Sequence, residues 1–456
     1  MGHNDEGALK EGALEIVRVL SEAGHRALWA GGCVRDMLLN IVPKDYDIAT
    51  NASSDQVRSL FGNRPEAVIR LVGESFGVSR VELQQGVFEV AQFREEADYR
   101  DGRRPDTVRP SNEEADAFRR DFTVNGIFFD PLREEVIDYV GGQADVERQV
   151  IRTIGSPADR FGEDHLRMLR AVRFACRLNW PIHGETRSAI SELAGRIGAI
   201  SAERVREELF LILTEGGAPL GIRYLIDTGL AKHVLPEILE MEGVPQPPQY
   251  HPEGDVLTHT LIMLGLMNRP NPELAFGVLL HDVGKPSTYE VLDRIRFNNH
   301  VKVGADMTEV ICSRLRMSND QSDHIRRLVA DHHRFSSVGD MRPSTLKRFL
   351  RTHRFEDHLE LHRLDCLSSQ GKLDSYRFAV EARAAMPSET IRPDPLLTGD
   401  DLIAMGYDPG PLFKVALREV EDRQLDGSLT SPAEAREIAR LVLDRELSGE
   451  SAGLTG

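Results

Sequence analysis

The sequence predicts an α+β protein in which a mixed α and β head is followed by a mostly helical remainder. Three observations carry this. Short β-type runs at 67–72 and 87–93 follow a segment where Leu9, Ala13, Ile16, Val17 and Leu20 recur at helical spacing. From Ala158 to Glu242 the pattern is almost wholly helical, and Val205, Leu209, Ile212 and Leu213 share one face of an amphipathic segment at 202–214. Residues 243–254 then carry Pro245, Pro247, Pro248 and Pro252 among Gly and Gln, which neither a helix nor a central strand accepts.

The expected organisation is a head over 1–155, a helical neck over 156–245, a histidine-rich helical unit over 246–385 and a short helical tail over 386–456. A chain of 456 residues exceeds the size at which one core keeps growing, which agrees with several domains. Its hydrophobic fraction of 41% and charged fraction of 28% are those of a globular protein, and no apolar run approaches the roughly 20 residues that span a bilayer. Residues 1–11 are polar and acidic, without the basic start and apolar centre of a secretory signal, so a cytoplasmic protein without a membrane partner is expected. Cys33, Cys176, Cys312 and Cys366 are far apart and form no C-x-x-C pair; reduced packing residues are expected.

A formal net charge of −17 argues against a protein that coats nucleic acid, because phosphate binding needs a positive footprint. Arginines nevertheless cluster within 94–120 and 160–177, which confines any RNA contact to local basic islands.

In the head, Asp45 and Asp47 stand at i and i+2. On one strand they point the same way and can share a pair of metal ions. Magnesium takes hard oxygen ligands and completes its shell with water and phosphates, so the chemistry suits Mg2+ and phosphoryl transfer. A D-x-D triplet alone is close to chance in a chain this long, but its flank strengthens it. Gly31-Gly32-Cys33-Val34-Arg35-Asp36 follows an apolar run at 27–30 and opens a helix, where paired glycines let amides approach phosphate and Arg35 adds charge. Glu89, in Val87-Phe88-Glu89-Val90, faces away from Phe88 and Val90 and is either a third carboxylate or an outward residue on a strand.

Four phrases then point one way. Gly-Gly-x-Val-Arg-Asp from Gly31, Asp-x-Asp-x-Ala-Thr from Asp45, Arg-Arg-Asp-Phe-Thr-Val-Asn from Arg119, and Arg-Phe-x-Glu-Asp-x-Leu-Arg-x-Leu-Arg-Ala-x-Arg-Phe from Arg160 resemble the class II tRNA nucleotidyltransferases and bacterial poly(A) polymerases. The resemblance covers roughly residues 25–245. It implies a polymerase-β-like head with a mixed sheet, a helical neck, and a two-metal mechanism with Asp45, Asp47 and Glu89 as catalytic residues. It also implies tRNA, CTP and ATP as partners, with Arg120 serving the triphosphate and Asp121 the ribose.

Asp164 and Arg167 are three apart in a helical pattern, with Arg170 and Arg173 continuing the stripe. Cytosine and adenine each present an amine donor beside a ring-nitrogen acceptor, whereas uracil and guanine present a carbonyl beside an N–H. An Asp acceptor beside an Arg donor therefore matches C or A and opposes U and G; in the similar enzymes these positions read the incoming base. Residues 94–106 read as a charged loop with Gly102 as hinge, a feature that similar enzymes use to add a terminal A.

Further along, His259, His281-Asp282 and Asp365 follow the order H…HD…D, which resembles the HD phosphohydrolase superfamily, with His300 and His332 as extra candidate ligands. Imidazole with carboxylate suits Mg2+, Mn2+, Ni2+ or Co2+, held either for hydrolysis or in a scaffold. In the tail, 399–411 reads as a tight turn beside helix ends that either meets RNA phosphates or joins two helices. The leading expectation is CCA addition to tRNA without a template. A-addition alone, poly(A) synthesis, or an HD phosphohydrolase whose head grips RNA are the alternatives.

Overall fold

The four apolar residues Ala27–Ala30 form β1, buried along its whole length as a central strand must be. In the computed structural model, which describes residues 4–62, 64, 67–71, 77–99 and 105–447, β1 lies inside a seven-stranded sheet. Its other members are β2 (Asp47–Thr50), β3 (Val68–Leu71), β4 (Val78–Leu83), β5 (Gly86–Gln92), and, beyond β6 (Arg94–Tyr99) and β7 (Pro105–Pro110), β8 (Ile127–Asp130) and β9 (Glu135–Asp138). The order is β3-β4-β5-β2-β1-β8-β9. Only β2 and β5 run parallel, so the sheet is mixed, as expected. One face buries Leu28, Ala30, Ala49, Phe93 and Phe128; on the other, Trp29 packs against Tyr46 and Phe129 at 4.8 and 5.6 Å between ring centroids. The helical spacing read at 9–20 forms α1 (Asn4–Glu22), whose Ala13, Ile16, Val17 and Leu20 are fully buried.

Residues 94–106, expected as a loop, are instead largely strand: β6 and β7 form a separate antiparallel ribbon. Charged residues at most positions hid the strand signal; Arg94 and Glu96 are instead largely buried by pairing with each other and with Arg119. Gly102 lies outside the described residues.

The short helices α2 (Gly32–Leu38), α3 (Ser54–Phe61), α4 (Glu113–Phe118) and α5 (Gly142–Glu147) fill the connections of the head. Beyond it come α6 (Pro157–Glu163), α7 (Arg167–Leu178), α8 (Gly184–Leu193), α9 (Ala202–Thr214) and α10 (Ala218–Asp227). Ser156 caps α6, with Pro157 at its first position, where a missing N–H costs nothing. The helix stops at Asp164, whose backbone is extended (φ −141°, ψ 107°), and α7 begins three residues later. Asp164 and Arg167 therefore flank a helix break and do not share one helical face; tertiary contacts described below override the helical spacing.

The chain divides into two compact units. The first comprises Met1–Glu240 with the short segments Arg269–Pro272 and Ile311–Met317; the second comprises the rest. In the second unit, Val256–Leu266 and Pro272–Leu280 are apolar nearly all round and correspondingly buried. A two-stranded hairpin, β10 (Tyr289–Val291) with β11 (Ile295–Phe297), interrupts what the sequence reads as continuous helix. Farther on, Phe335, Phe349 and Phe355 form an aromatic core on which His362 stacks. The tail segment read as a tight turn begins instead as a helix, Gly399–Ala404, closed at its start by a Thr398/Asp401 capping box. The turn itself falls at Gly406, with φ 95°. Among the described residues no helix is long and apolar enough to cross a membrane.

One close approach holds the histidine-rich region together. A Cβ at Gly284 would lie 2.3 Å from the His300 carbonyl oxygen and 2.6 Å from the Gly304 nitrogen, so the helix His300–Arg314 rests directly on the backbone after His281-Asp282. Gly284→Ala is expected to cost about 1–3 kcal/mol of stability, read as a lower urea midpoint at unchanged slope.

Candidate active site

Asp47 is the first residue of β2 and stands in register with Glu89 on the parallel neighbour β5. Asp45 lies two residues earlier, in the extended lead-in to the strand and not in the strand itself. The β5 alternation is as read from the sequence, with Phe88 and Val90 buried and Glu89 exposed. Desolvation in the cleft, then the like charges of Asp45 and Glu89, push the Asp47 carboxyl up to about 6, while Arg120 pulls the other way. Hard oxygen donors whose mutual repulsion already raises a pKa are a donor set that fits Mg2+.

These aspartates open on a cleft of about 580 Å3. Its lining places nine cationic side chains against six carboxylates, a local positive excess in a chain of net charge −17. Gly31 adopts φ 73° at the turn before α2, a conformation that favours glycine. Its N–H donates to the Ile127 carbonyl, which leaves the first-turn amides of α2 as the free donors. Arg120 Nη1 lies 3.0 Å from where a Gly31 Cβ would stand, so the missing side chain is what admits the guanidinium.

Arg35, expected to offer charge to phosphate, is buried behind this turn. Its Nε and Nη2 donate to Asp36 and its Nη1 to Asn125 Oδ1 at 2.7 Å. Three of its five N–H groups brace the turn. Asp121 is committed as well: Arg170 Nε (2.8 Å) and Nη2 (2.6 Å) converge on its Oδ2, and Phe122 N–H donates to Oδ1. Burial opposes the Asp121 charge, but Arg170 outweighs it and holds the carboxyl down at about 2. Arg173 continues the line from α7 to Glu208 on α9.

Across the cleft, Asp164 Oδ1 accepts from Leu166 N–H and Oδ2 from Arg204 at 2.8 Å. A carboxylate has about four acceptor sites, so Asp164 keeps acceptor capacity. Arg167 is buried; its Nη1 donates to the Arg160 carbonyl and to Glu163, and its Nη2 to the Arg119 carbonyl. Those contacts, not helical spacing, set the orientation of the pair. Every candidate nucleotide residue, Gly31, Gly32, Arg35, Arg120, Asp121, Asp164, Arg167, Arg170 and Arg173, lines this one cleft with Asp45 and Asp47; Glu89 reaches it through its partnership with Asp47. Sequence reading missed Lys44, Asn125, Phe174, Arg177, Arg204 and Glu215, which also line it. For Asn125 the signal was present at the end of the Arg-Arg-Asp-Phe-Thr-Val-Asn phrase. For Arg204 nothing local distinguishes it from any charged residue on a helix.

In the second unit, His259, His281 and Asp282 bring one ligand atom each within 4.8 Å of one another. Asp365 joins them, its Oδ1 3.3 Å from His259 Nε2. Burial opposes the His259 charge, yet hydrogen bonding to Asp365 and Glu253 raises its pKa to about 9. A buried imidazole and carboxylate set of this kind fits a divalent metal.

Comparison with known proteins follows this division of sites. Residues 27–152 match the poly A polymerase head domain, 180–241 the probable RNA and SrmB-binding site of polymerase A, and 256–356 the HD domain. The A-adding tRNA nucleotidyltransferase of Deinococcus radiodurans is 32% identical over 434 residues, 90% of this chain and 94% of that protein. The chain belongs to the tRNA nucleotidyltransferase and poly(A) polymerase family. Other members match over less: poly(A) polymerase I of Salmonella typhimurium is 39% identical over 50% of this chain and 51% of its own length, and the CCA-adding enzyme of Bacillus subtilis 41% over 48% and 54%. The chain thus spans about half the length of these curated relatives. In fold it is similar to the Bacillus stearothermophilus CCA-adding enzyme solved in complex with CTP, with a TM-score of 0.69 over 97% of this chain and 98% of that one, at 24% identity.

Two outcomes follow. Arg170→Met leaves Asp121 a buried charge without its main partner and is expected to cost about 2–3 kcal/mol, the low end for a broken buried pair because Arg170 is itself partly exposed. The stabilisation it removes is present above pH 4 and lost as pH falls towards 2, so wild type and variant converge in acid urea melts. The Asp47 pKa is displaced upward from 3.8, so the metal-free fold loses stability as pH rises from about 4 to about 6 and is level above that. Asp47→Asn should therefore raise the metal-free melting temperature at pH 7.5 and leave it unchanged near pH 4. Mg2+ affinity by calorimetry should fall as pH is lowered through about 6, where protons displace the cation.

Proposed function

We propose that this chain is a template-independent tRNA nucleotidyltransferase that adds C and A residues to the tRNA 3′ end from CTP and ATP. The single observation behind the proposal is the cleft itself: a carboxylate set suited to Mg2+ and a fixed Asp164–Arg204–Arg167 group share one net-positive cavity. Bound at Asp45 and Asp47, Mg2+ would supply the Lewis acidity that favours the attacking alkoxide and neutralises departing pyrophosphate. The RNA 3′-oxygen attacks the α-phosphorus, and the bond from that phosphorus to the bridging oxygen of pyrophosphate breaks.

The rest is the work of the protein's own groups. Arg120 and the free amides at the start of α2 hold the triphosphate. Asp121, kept ionised by Arg170, fixes α7 against the head, its acceptor sites taken by two Arg170 N–H groups, the Phe122 N–H and the Asn125 amide. Asp164 accepts from the amine of cytosine or adenine while Arg167 and Arg204 face the ring nitrogen, so uracil and guanine would meet donor against donor. Arg35 supports the glycine turn from behind.

Addition of A alone is a second reading, favoured by the near full-length similarity to the A-adding enzyme. Purified protein given tRNA lacking the whole CCA end, ending at its first C or ending at its second C, with labelled CTP or ATP, separates the two. Incorporation of C into the first two substrates supports CCA addition; incorporation of A into the third alone supports A-addition; long A tracts on all three indicate a poly(A) polymerase. Asp164→Ala should relax selection against UTP and GTP by about 10-fold to 100-fold, the cost of one unpaired polar group, with a smaller change in kcat for the correct nucleotide. Unchanged selection in a folded variant overturns the base-reading role.

A further inference from the structure

Arg119 and Arg120 stand side by side where α4 ends, and two adjacent guanidinium groups lining one cleft repel each other unless a counter-charge separates them. Asp116 is that charge. It lies three and four positions earlier, on the same face of the last turn of α4, and gives each arginine its own oxygen. Its Oδ1 accepts from Arg119 Nε at 2.8 Å and lies 2.6 Å from Arg119 Nη2. Its Oδ2 accepts from Arg120 Nε at 3.2 Å and from Arg120 Nη2 at 3.0 Å. The Arg94 N–H, at the start of β6, also donates to Oδ1, at 3.3 Å. Asp116 is only 1% exposed and is not part of the cleft wall itself. Burial opposes its charge, but Arg120 and Arg119 outweigh that cost and hold the carboxyl below its usual range.

These contacts leave Arg120 little freedom. Its Nη1 donates to the Asn125 carbonyl at 3.3 Å, and its guanidinium lies over the Phe128 ring, 5.0 Å from the centroid. With Nε, one N–H of Nη2 and one of Nη1 engaged, one N–H on each Nη nitrogen is left over among the described residues. Nη1 is also the atom that stands beside Gly31, at the turn that opens α2. Arg119 in turn pairs with Glu96 on β6 at 3.2 Å, so Asp116 is braced through its other oxygen and cannot follow Arg120 if that side chain turns away. A long side chain with several rotatable bonds is thereby ordered before any ligand arrives, which removes an entropic cost from binding.

We propose that Asp116 is a positioning residue for nucleotide binding: it holds Arg120 in the orientation that presents its two remaining N–H groups to the triphosphate, without touching the nucleotide itself. The inference rests on the reading of Arg120 as a triphosphate ligand. Its effect falls on the phosphates beyond the first, because the base and the sugar are left to other residues of the cleft.

The test is the affinity of the full-length chain for ATP and for AMP, each with Mg2+ and without RNA, by calorimetry. Asp116→Asn, which keeps the shape of the side chain and removes its charge, should weaken ATP about 10-fold, the worth of one charge-assisted hydrogen bond, and change AMP by less than about 2-fold. Asp116→Glu, which keeps the charge but moves it by one methylene, should show the same contrast and supplies the comparison where the asparagine variant does not fold. In an Arg120→Met background, Asp116→Asn should weaken ATP no further, because the two residues act as one unit. Equal losses for ATP and AMP mark a merely structural role and overturn the proposal, as does unchanged ATP affinity in either folded variant. A further loss in the Arg120→Met background overturns the route through Arg120. Equal affinity of the unaltered chain for ATP and AMP overturns the reading of Arg120 itself, and absence of tRNA extension alters none of these ratios, so the two readings fail separately.

Discussion

The ion pair between Asp121 and Arg170 is the joint on which the cleft depends. Asp121 belongs to the turn after α4 and Arg170 to α7, 49 residues later, and both guanidinium contacts converge on one buried oxygen. A buried carboxylate is tolerated only when paired and hydrogen-bonded, which ties α7 to the head at this point. Once that turn of α7 is placed, helical geometry sets the rest. Arg167 falls one turn earlier, against the Arg119 carbonyl, and Arg173 one turn later, against Glu208. The α7 wall of the cavity is therefore positioned against the head by one electrostatic contact.

The two candidate metal centres use different physics to the same end. In the head, desolvation first and the like charges of Asp45 and Glu89 second raise the Asp47 pKa, a cost that a bound hard cation would relieve. In the second unit the constraint is not repulsion but orientation. Backbone carbonyls and Glu253 hold the imidazoles by their Nδ1 atoms, so the opposite lone pairs converge on Asp282. Oxygen-rich and imidazole-rich sets select different ions, so the two candidate centres differ in the cation each would favour.

Much of both sites was legible in the sequence because the signals were local. The Gly31-Gly32 turn, the aspartates at 45 and 47, the β alternation around Glu89 and the His281-Asp282 pair are each set by a few consecutive residues. The readings that failed depended on context. Residues 94–106 lack the apolar alternation that marks a half-buried strand, and the pairing that makes them a ribbon, with the ion pairs of Arg94 and Glu96 to Arg119, is tertiary. Arg35 read as a phosphate ligand because its sequence neighbours are glycines; its actual neighbours are Asp36 and Asn125, the latter 90 residues away.

By itself the sequence determined the candidate residues carried by local phrases and the longer periodic helices, since side-chain type and short-range periodicity suffice for those. Only the tertiary structure decided how those residues are used. The helix break at Asp164, its ion pair with Arg204, the register of Asp47 against Glu89 and the gathering of His300 and His332 on one edge of Asp282 all join elements tens of residues apart. Their charge states followed from the same source, because burial and neighbouring charge, which shift a pKa, are properties of packing and not of sequence.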